Sequence, residues 1–284
     1  MILSSQIVET ACRVRSFLDP GGLEQSFRFV RDRWRGDGGF RGHTKDSDLY
    51  YTLFGTDCLI VLGKALRLEP LHSYLSRFGL GEGLDLVHLG CLVRCWTRLA
   101  QRVSQSDPVP LLLERMESKR AQQEPSVYGA FLVWLAYEEA RIDHPNPNVF
   151  LDWVQKLRCA QGGVRNDRSV SLGNTASTAA AIVMESRLLG SAAPQDVSWL
   201  LERQTSIGGF VSHPKSPYPD LLSTAVAVFA LREIQEVSLI QAMDCVDFVE
   251  GLWSEEGSFQ CSPWDETKDV EYTFYGFLAL GGLL

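Results

Sequence analysis

Two kinds of helical pattern alternate along the chain. The segment NVFLDWVQKL (148–157) sets Phe150, Trp153, Val154 and Leu157 on one face at i, i+3, i+4, i+7, with Asp152, Gln155 and Lys156 opposite. That is the pattern of a helix with one face in water. The segments TAAAIVM (178–184), TAVAVFAL (224–231) and TFYGFLALGGLL (273–284) are apolar all round, as in helices covered on every side. A glycine-containing turn and a polar loop ending in Thr join the first kind to the second. Four copies are clear, at 37–63, 160–184, 207–231 and 256–280. Thr178, Thr224 and Thr273 each stand 14 positions after Val164, Phe210 and Phe259, and Thr52 stands 12 after Phe40. The last three copies lie 46 and 49 residues apart, a period typical of helical-hairpin repeats.

Weaker copies occupy 73–100, where Asp85 still precedes an apolar helix, and 111–137, where the glycines are gone. Six hairpins then cover residues 1–284 as one expected domain, and HPNPN (144–148) reads as an inter-repeat loop. Six outer and six inner helices in alternation predict an all-α fold, a closed α/α toroid (α6–α6 barrel), because closure gives every inner helix two inner neighbours and an outer cover. The glycines at 38/39, 162/163 and 208/209 are expected to leave the outer helix at φ > 0, and Asp48, Asp85 and Asp220 to cap inner helices. Parallel inner helices would gather their N-termini at one rim, an arrangement that favours an anion. Beneath it, candidate cavity aromatics are Tyr50, Tyr51, Phe54, Tyr128, Phe131, Trp134, Phe229, Tyr272, Phe274, Tyr275 and Phe277. Either they line a cavity suited to a greasy chain with a charged head, such as a prenyl diphosphate, or they fill the barrel.

Composition narrows the classes. With 45% hydrophobic and 22% charged residues the chain is that of a globular protein. A net charge of −8 argues against a nucleic-acid partner held by overall charge. No uncharged apolar run reaches the roughly 20 residues of a membrane span, and charges come too early for a secretory signal. Seven cysteines without a CxxC pair point to reduced thiols, so a cytoplasmic location is the expectation.

The GGF(x)nD(x)3T unit resembles the prenyltransferase and squalene-cyclase repeat, and LERQTSIGGFVSHPKSPYPD (201–220) is similar to the fifth repeat of protein prenyltransferase β subunits, closest in pattern to that of Rab geranylgeranyltransferase. The resemblance runs over nearly the whole chain. It implies an isoprenoid cavity, a helical α-subunit-like partner or acceptor protein, and a zinc ion that activates an acceptor thiol. The zinc position is degenerate: Asp220 matches its Asp, but Leu222 stands at its Cys and Tyr272 at its His, so no metal is expected there. Cys261 and Asp269 share the sixth repeat without a spacing that compels ligation. For the diphosphate, the resemblance leaves His213 and Lys215 as nearest equivalents of the loop cations, with Arg165 and Arg168 as compensating charges. Its remaining contacts fall near Leu172, Val127, Tyr128 and Ser223. The expected substrate contacts are therefore His213, Lys215, Asp220 and Tyr272 at the rim, with Tyr51 and Phe274 on the aromatic wall.

The cyclase branch of the superfamily uses a DxDD acid. None occurs, and Asp46-Ser47-Asp48 reads as a loop ending in a cap. His88, Cys91 and Cys95 read as core rather than metal ligands, and His43 as a solvated loop residue. Three functions stay open, the first a prenyltransferase-like enzyme acting without the usual zinc set and the second a non-catalytic toroid that binds a lipid or a protein. A terpene-cyclase-like activity is the third.

Overall fold

The computed structural model describes residues 3–100 and 108–284. Outer helices are α2 (Pro20–Arg33), α4 (Leu68–Ser76), α6 (Val109–Ala121), α8 (Asn148–Leu157), α10 (Pro194–Leu201) and α12 (Ala242–Glu250). Inner helices are α3 (Leu49–Val61), α5 (Leu86–Ala100), α7 (Val127–Ala140), α9 (Thr175–Leu189), α11 (Leu221–Glu233) and α13 (Val270–Leu283). Each inner helix packs on the next, and α13 returns to α3, so the ring is closed. The fold is an all-α α/α toroid of six helical hairpins. Two short antiparallel hairpins, β1 (Phe40–Arg41) with β2 (Ser47–Asp48) and β3 (Gln260–Ser262) with β4 (Asp265–Lys268), stiffen the rim loops of the first and sixth repeats.

The repeat unit has a hydrogen-bonded cause. The Thr hydroxyl in the first turn of an inner helix donates to the carbonyl of its cap residue and accepts the N–H of the residue after the turn. The acceptor contacts are Thr52 to Phe40, Thr178 to Val164 and Thr224 to Phe210, all at 2.9 Å, and the donor contacts reach Asp48, Asn174 and Asp220. A small side chain thus satisfies a buried amide where loop and helix meet. Asp48, Asp85 and Asp220 cap their helices as expected; Asp269, Asn174 and Ser126 cap the others.

The glycine pairs divide their work differently from the expectation. Gly38, Gly162 and Gly208 take positive φ, and a Cβ on Gly208 would meet the Asp244 carbonyl oxygen at 1.9 Å. Gly39 and Gly209 have ordinary φ; they are glycines because a Cβ would strike the Tyr74 or Phe248 ring. Turn conformation requires the first of each pair and close packing under an aromatic ring the second, except that Gly163 meets both demands, at φ 71° beneath the Trp199 ring.

One helix belongs to no hairpin. α1 (Leu3–Cys12) packs against α13, α3 and α7, three members of the inner ring, two of them on opposite sides. Thr10 lies so close to the end of α13 that a Cβ on Gly281 would sit 2.0 Å from its carbonyl oxygen. Gln6, Glu9, Thr10 and Arg13 face Arg187, Arg232 and Glu233 at the ends of α9 and α11. α1 therefore crosses the barrel end formed by the C-termini of the inner helices, and the interior opens at the opposite rim.

Candidate functional site

Partial exposure on helices that are covered outside by a second helical layer marks an opening along the barrel axis. The partly exposed positions recur with helical spacing: Tyr50 and Phe54 on α3, Val87 on α5, Tyr128 and Phe131 on α7, Ala176 and Ala180 on α9, Leu222 and Val226 on α11, Glu271 and Tyr275 on α13. Tyr128 shows the geometry most clearly. It is 43% exposed, yet burial raises its phenol far above the ordinary range, a combination that fits a concave, water-poor wall. The wall is aromatic on the α3, α7 and α13 sides and small or aliphatic on the α9 and α11 sides. Phe54 packs its ring on Phe274 at 5.7 Å and Tyr275 at 5.6 Å.

The aromatic candidates separate into two groups. Tyr50, Tyr51, Phe54, Tyr128, Phe131, Tyr272 and Tyr275 keep exposed surface. Trp134, Phe229, Phe274 and Phe277 are 5% exposed or less and fill the wall. Phe274, expected to touch substrate, therefore stands behind Phe54 and Tyr275 instead. Tyr51 remains near the mouth, edge-on to His43 at 5.7 Å and to Tyr50 at 5.5 Å.

A carboxyl sits among these rings. Tyr50 donates its phenol proton to Glu271 Oε1 at 2.5 Å. Burial pushes the Glu271 carboxyl up to about 7, with the Asp269 charge adding to the rise and the Tyr50 bond opposing it. Sequence reasoning missed Glu271, although it is the one acid inside an otherwise uncharged apolar helix. A carboxyl raised on folding contributes stability below its unfolded value near 4.5, lost as pH climbs through about 7. Glu271→Gln is therefore expected to raise the melting temperature above pH 7 and to leave it unchanged below pH ~4.5, which a pair of melting curves at each end checks.

The rim differs from the expected anion site, because four of its six inner-helix dipoles already hold a carboxylate, while α7 and α9 are capped by the neutral Ser126 and Asn174. Asp48, Asp85, Asp220 and Asp269 each place a carboxylate on an inner-helix N-terminus. His88 bridges two of them, with Nδ1 2.9 Å from Asp85 Oδ1 and Nε2 3.3 Å from Asp48 Oδ2. Burial depresses the imidazole, but the two carboxylates outweigh that and raise it. His43 Nε2 lies 3.0 Å from Asp269 Oδ2, so this loop histidine ties the first-repeat loop to the α13 cap. Lys215 is exposed; His213 is turned onto its own loop, where Nδ1 accepts the Lys215 N–H at 3.2 Å. Arg165 is half-buried and Arg168 exposed. Cys91 and Cys95 are buried, in keeping with the core reading.

Deeper in the barrel, Arg94 and Arg98 of α5 join Asp57 of α3 and Glu139 of α7. Arg98 Nη1 meets Asp57 at 2.5 Å, Arg98 Nε meets Glu139 at 2.9 Å and Arg94 Nε meets Glu139 at 2.7 Å. Burial pushes Asp57 up to about 6 against the two guanidiniums, which leaves it ionised at neutral pH.

The chain belongs to the prenyltransferase alpha-alpha toroid domain family, whose model matches residues 12–83 and 177–281. Solved structures share the toroid at low identity. A protein geranylgeranyltransferase-I of Candida albicans, complexed with GGPP, is 15% identical over 93% of this chain and 78% of its own, with a TM-score of 0.50. A type II terpene cyclase from Scytonema is 13% identical, covering 93% and 96%, with a TM-score of 0.58. An alpha-1,6-mannanase of Salegentibacter is 12% identical, covering 97% and 98%, with a TM-score of 0.60. These likenesses establish the fold alone. No curated protein sequence matches significantly.

The zinc site implied by the resemblance can be tested on its three positions. Asp220 accepts from Ser223 N–H at 2.7 Å with one oxygen and from Ser223 Oγ at 2.8 Å with the other. Leu222 offers no donor atom. Burial, with the neighbouring Cys261 thiol adding to it, raises the Tyr272 phenol, so it stays protonated. Asp269 is spent on its cap and on His43, and among the described residues no three His, Cys, Asp or Glu side chains converge as metal ligands. These residues do not fit zinc.

Proposed function

We propose that the protein is a prenyltransferase β-like toroid that holds an isoprenoid chain in its central cavity. The observation that supports this most directly is the inward stripe. Six helices present partly exposed, mostly apolar or aromatic side chains from their first two turns to a recess open at one rim, a concave apolar wall of the kind that takes an apolar ligand. Because Leu222 and Tyr272 replace thiolate and imidazole, the reading favoured here is binding without zinc-activated thiol chemistry. Asp220 acts as a helix cap, and Tyr272 and Tyr51 line the mouth. A helical α-subunit-like chain or an acceptor protein as partner, and a cytoplasmic setting, belong to the same reading; no helix among the described residues is long and apolar enough to cross a membrane.

The test is a titration with farnesyl and geranylgeranyl ligands followed by tryptophan fluorescence and calorimetry, with metal content assayed. Micromolar binding that is indifferent to zinc and chelator is the expected result. Absence of binding by any isoprenoid would overturn the proposal.

A further inference from the structure

Resting on the reading that the cavity holds an isoprenoid, we infer that it selects a ligand whose polar end donates a hydrogen bond, a hydroxyl or an ammonium received by Glu271, over a diphosphate. The geometry begins with the carboxyl itself. Glu271 Oε1 is occupied by the Tyr50 phenol at 2.5 Å, and Oε2 makes no hydrogen bond among the described residues. The residue is partly exposed on the first turn of α13, so this second oxygen is available to an incoming donor.

The groups around it are phenols and carboxylates. α3 supplies Tyr50, with the Asp48 cap at its start; α7 supplies Tyr128; α13 supplies Tyr275, Tyr272 and the Asp269 cap. From α5 come His88, which is bound to Asp48 and Asp85, Cys91, whose thiol burial pushes up to about 12, and Arg94. Arg94 is held by Glu139 at 2.7 Å. From α11 comes the Asp220 cap, bonded to Ser223. Lys215, a cation of the rim loop, is exposed to solvent. A diphosphate would bring its negative charge toward Glu271 and the caps, where the buried Arg94 is already held by Glu139, which is unfavourable for both partners. A hydroxyl would instead donate to Oε2 and accept from Tyr128 or Tyr275, and an ammonium would gain the carboxylate and the ring faces.

Calorimetric titration of the full chain with geranylgeraniol, geranylgeranylamine, geranylgeranyl methyl ether and geranylgeranyl diphosphate separates the outcomes. The alcohol, the amine or both should bind at least tenfold more tightly than the methyl ether and the diphosphate, and which of the two leads identifies the head group. Glu271→Gln should cost the amine tenfold or more and bring it to the level of the ether, whereas His213→Ala and Lys215→Ala should leave alcohol and amine binding unchanged. Glu271→Leu, checked by its melting curve, repeats the test with no acceptor left. Diphosphate binding as tight as that of the alcohol and amine, or affinities that ignore Glu271→Gln and Glu271→Leu, would overturn the inference while leaving an isoprenoid cavity in place. Failure of all four ligands to bind would overturn both.

Discussion

Asp57→Ala is expected to lower stability by about 3–5 kcal/mol, because it removes one carboxylate from a buried set of two acids and two guanidiniums. The side chains of Asp57, Glu139, Arg94 and Arg98 are 2%, 6%, 10% and 6% exposed. Water cannot replace the lost partner, so Arg98 loses its contact with Asp57 and Arg94 loses the charge that balances the cluster. The melting temperature should fall by on the order of 10 °C. Breaking the exposed Arg115–Glu82 pair with Arg115→Ala, by contrast, should cost under about 1 kcal/mol. Differential scanning calorimetry of the two variants decides the matter. Losses of similar size would mean that the cluster is hydrated through the barrel interior.

Gly208→Ala has the second large effect. The residue sits at φ 92°, and its Cβ would lie 1.9 Å from the Asp244 carbonyl oxygen and 2.6 Å from the Cys245 nitrogen. Backbone on both sides is fixed, since the Gln204 side chain bonds the Gly208 and Gln241 carbonyls. The methyl group must push the start of α12 away from the turn, at a cost of about 3 kcal/mol or more. Gly190→Ala is the matched control. It shares the left-handed conformation at φ 81° but meets nothing within 4 Å, so it should cost only about 1–2 kcal/mol. Equal costs in urea denaturation would attribute both to backbone conformation and remove the role given to the close approach.

The repeat grammar was legible because its residues are dictated locally. Gly38, Gly162 and Gly208 adopt conformations that other residues avoid, and the constant offset to Thr178 and Thr224 is the span of a hydrogen bond from the post-turn amide to the hydroxyl. The third repeat hid itself because its turn after α6 closes through Gln122 and Gln123 with short-range backbone bonds and uses no glycine. The facing of the inner helices was not legible. A helix buried on both sides shows no contrast between its faces, so neither the inward stripe nor the place of Phe274 behind Phe54 could be phased from hydrophobicity. The charges of Glu271, Asp57, Arg94, Arg98 and Glu139 mark the barrel interior, but only the fold shows which of them meet. At the rim the difficulty is one of charge. The sequence shows aspartates before helices, which were recognised as caps, but a dipole that holds its own carboxylate has little left for a ligand.

The central claim is that the isoprenoid lies inside the barrel, and Ala180→Trp tests it most directly. Ala180 is partly exposed on the aliphatic side of the cavity, so an indole there would occupy the volume assigned to the chain without entering the outer layer. Geranylgeraniol titrated into this variant should give no binding signal, while Leu239→Trp, which adds the same ring at a site 58% exposed on the outside, should bind as the parent does. Undiminished affinity in a folded Ala180→Trp protein would contradict the account and place the ligand elsewhere.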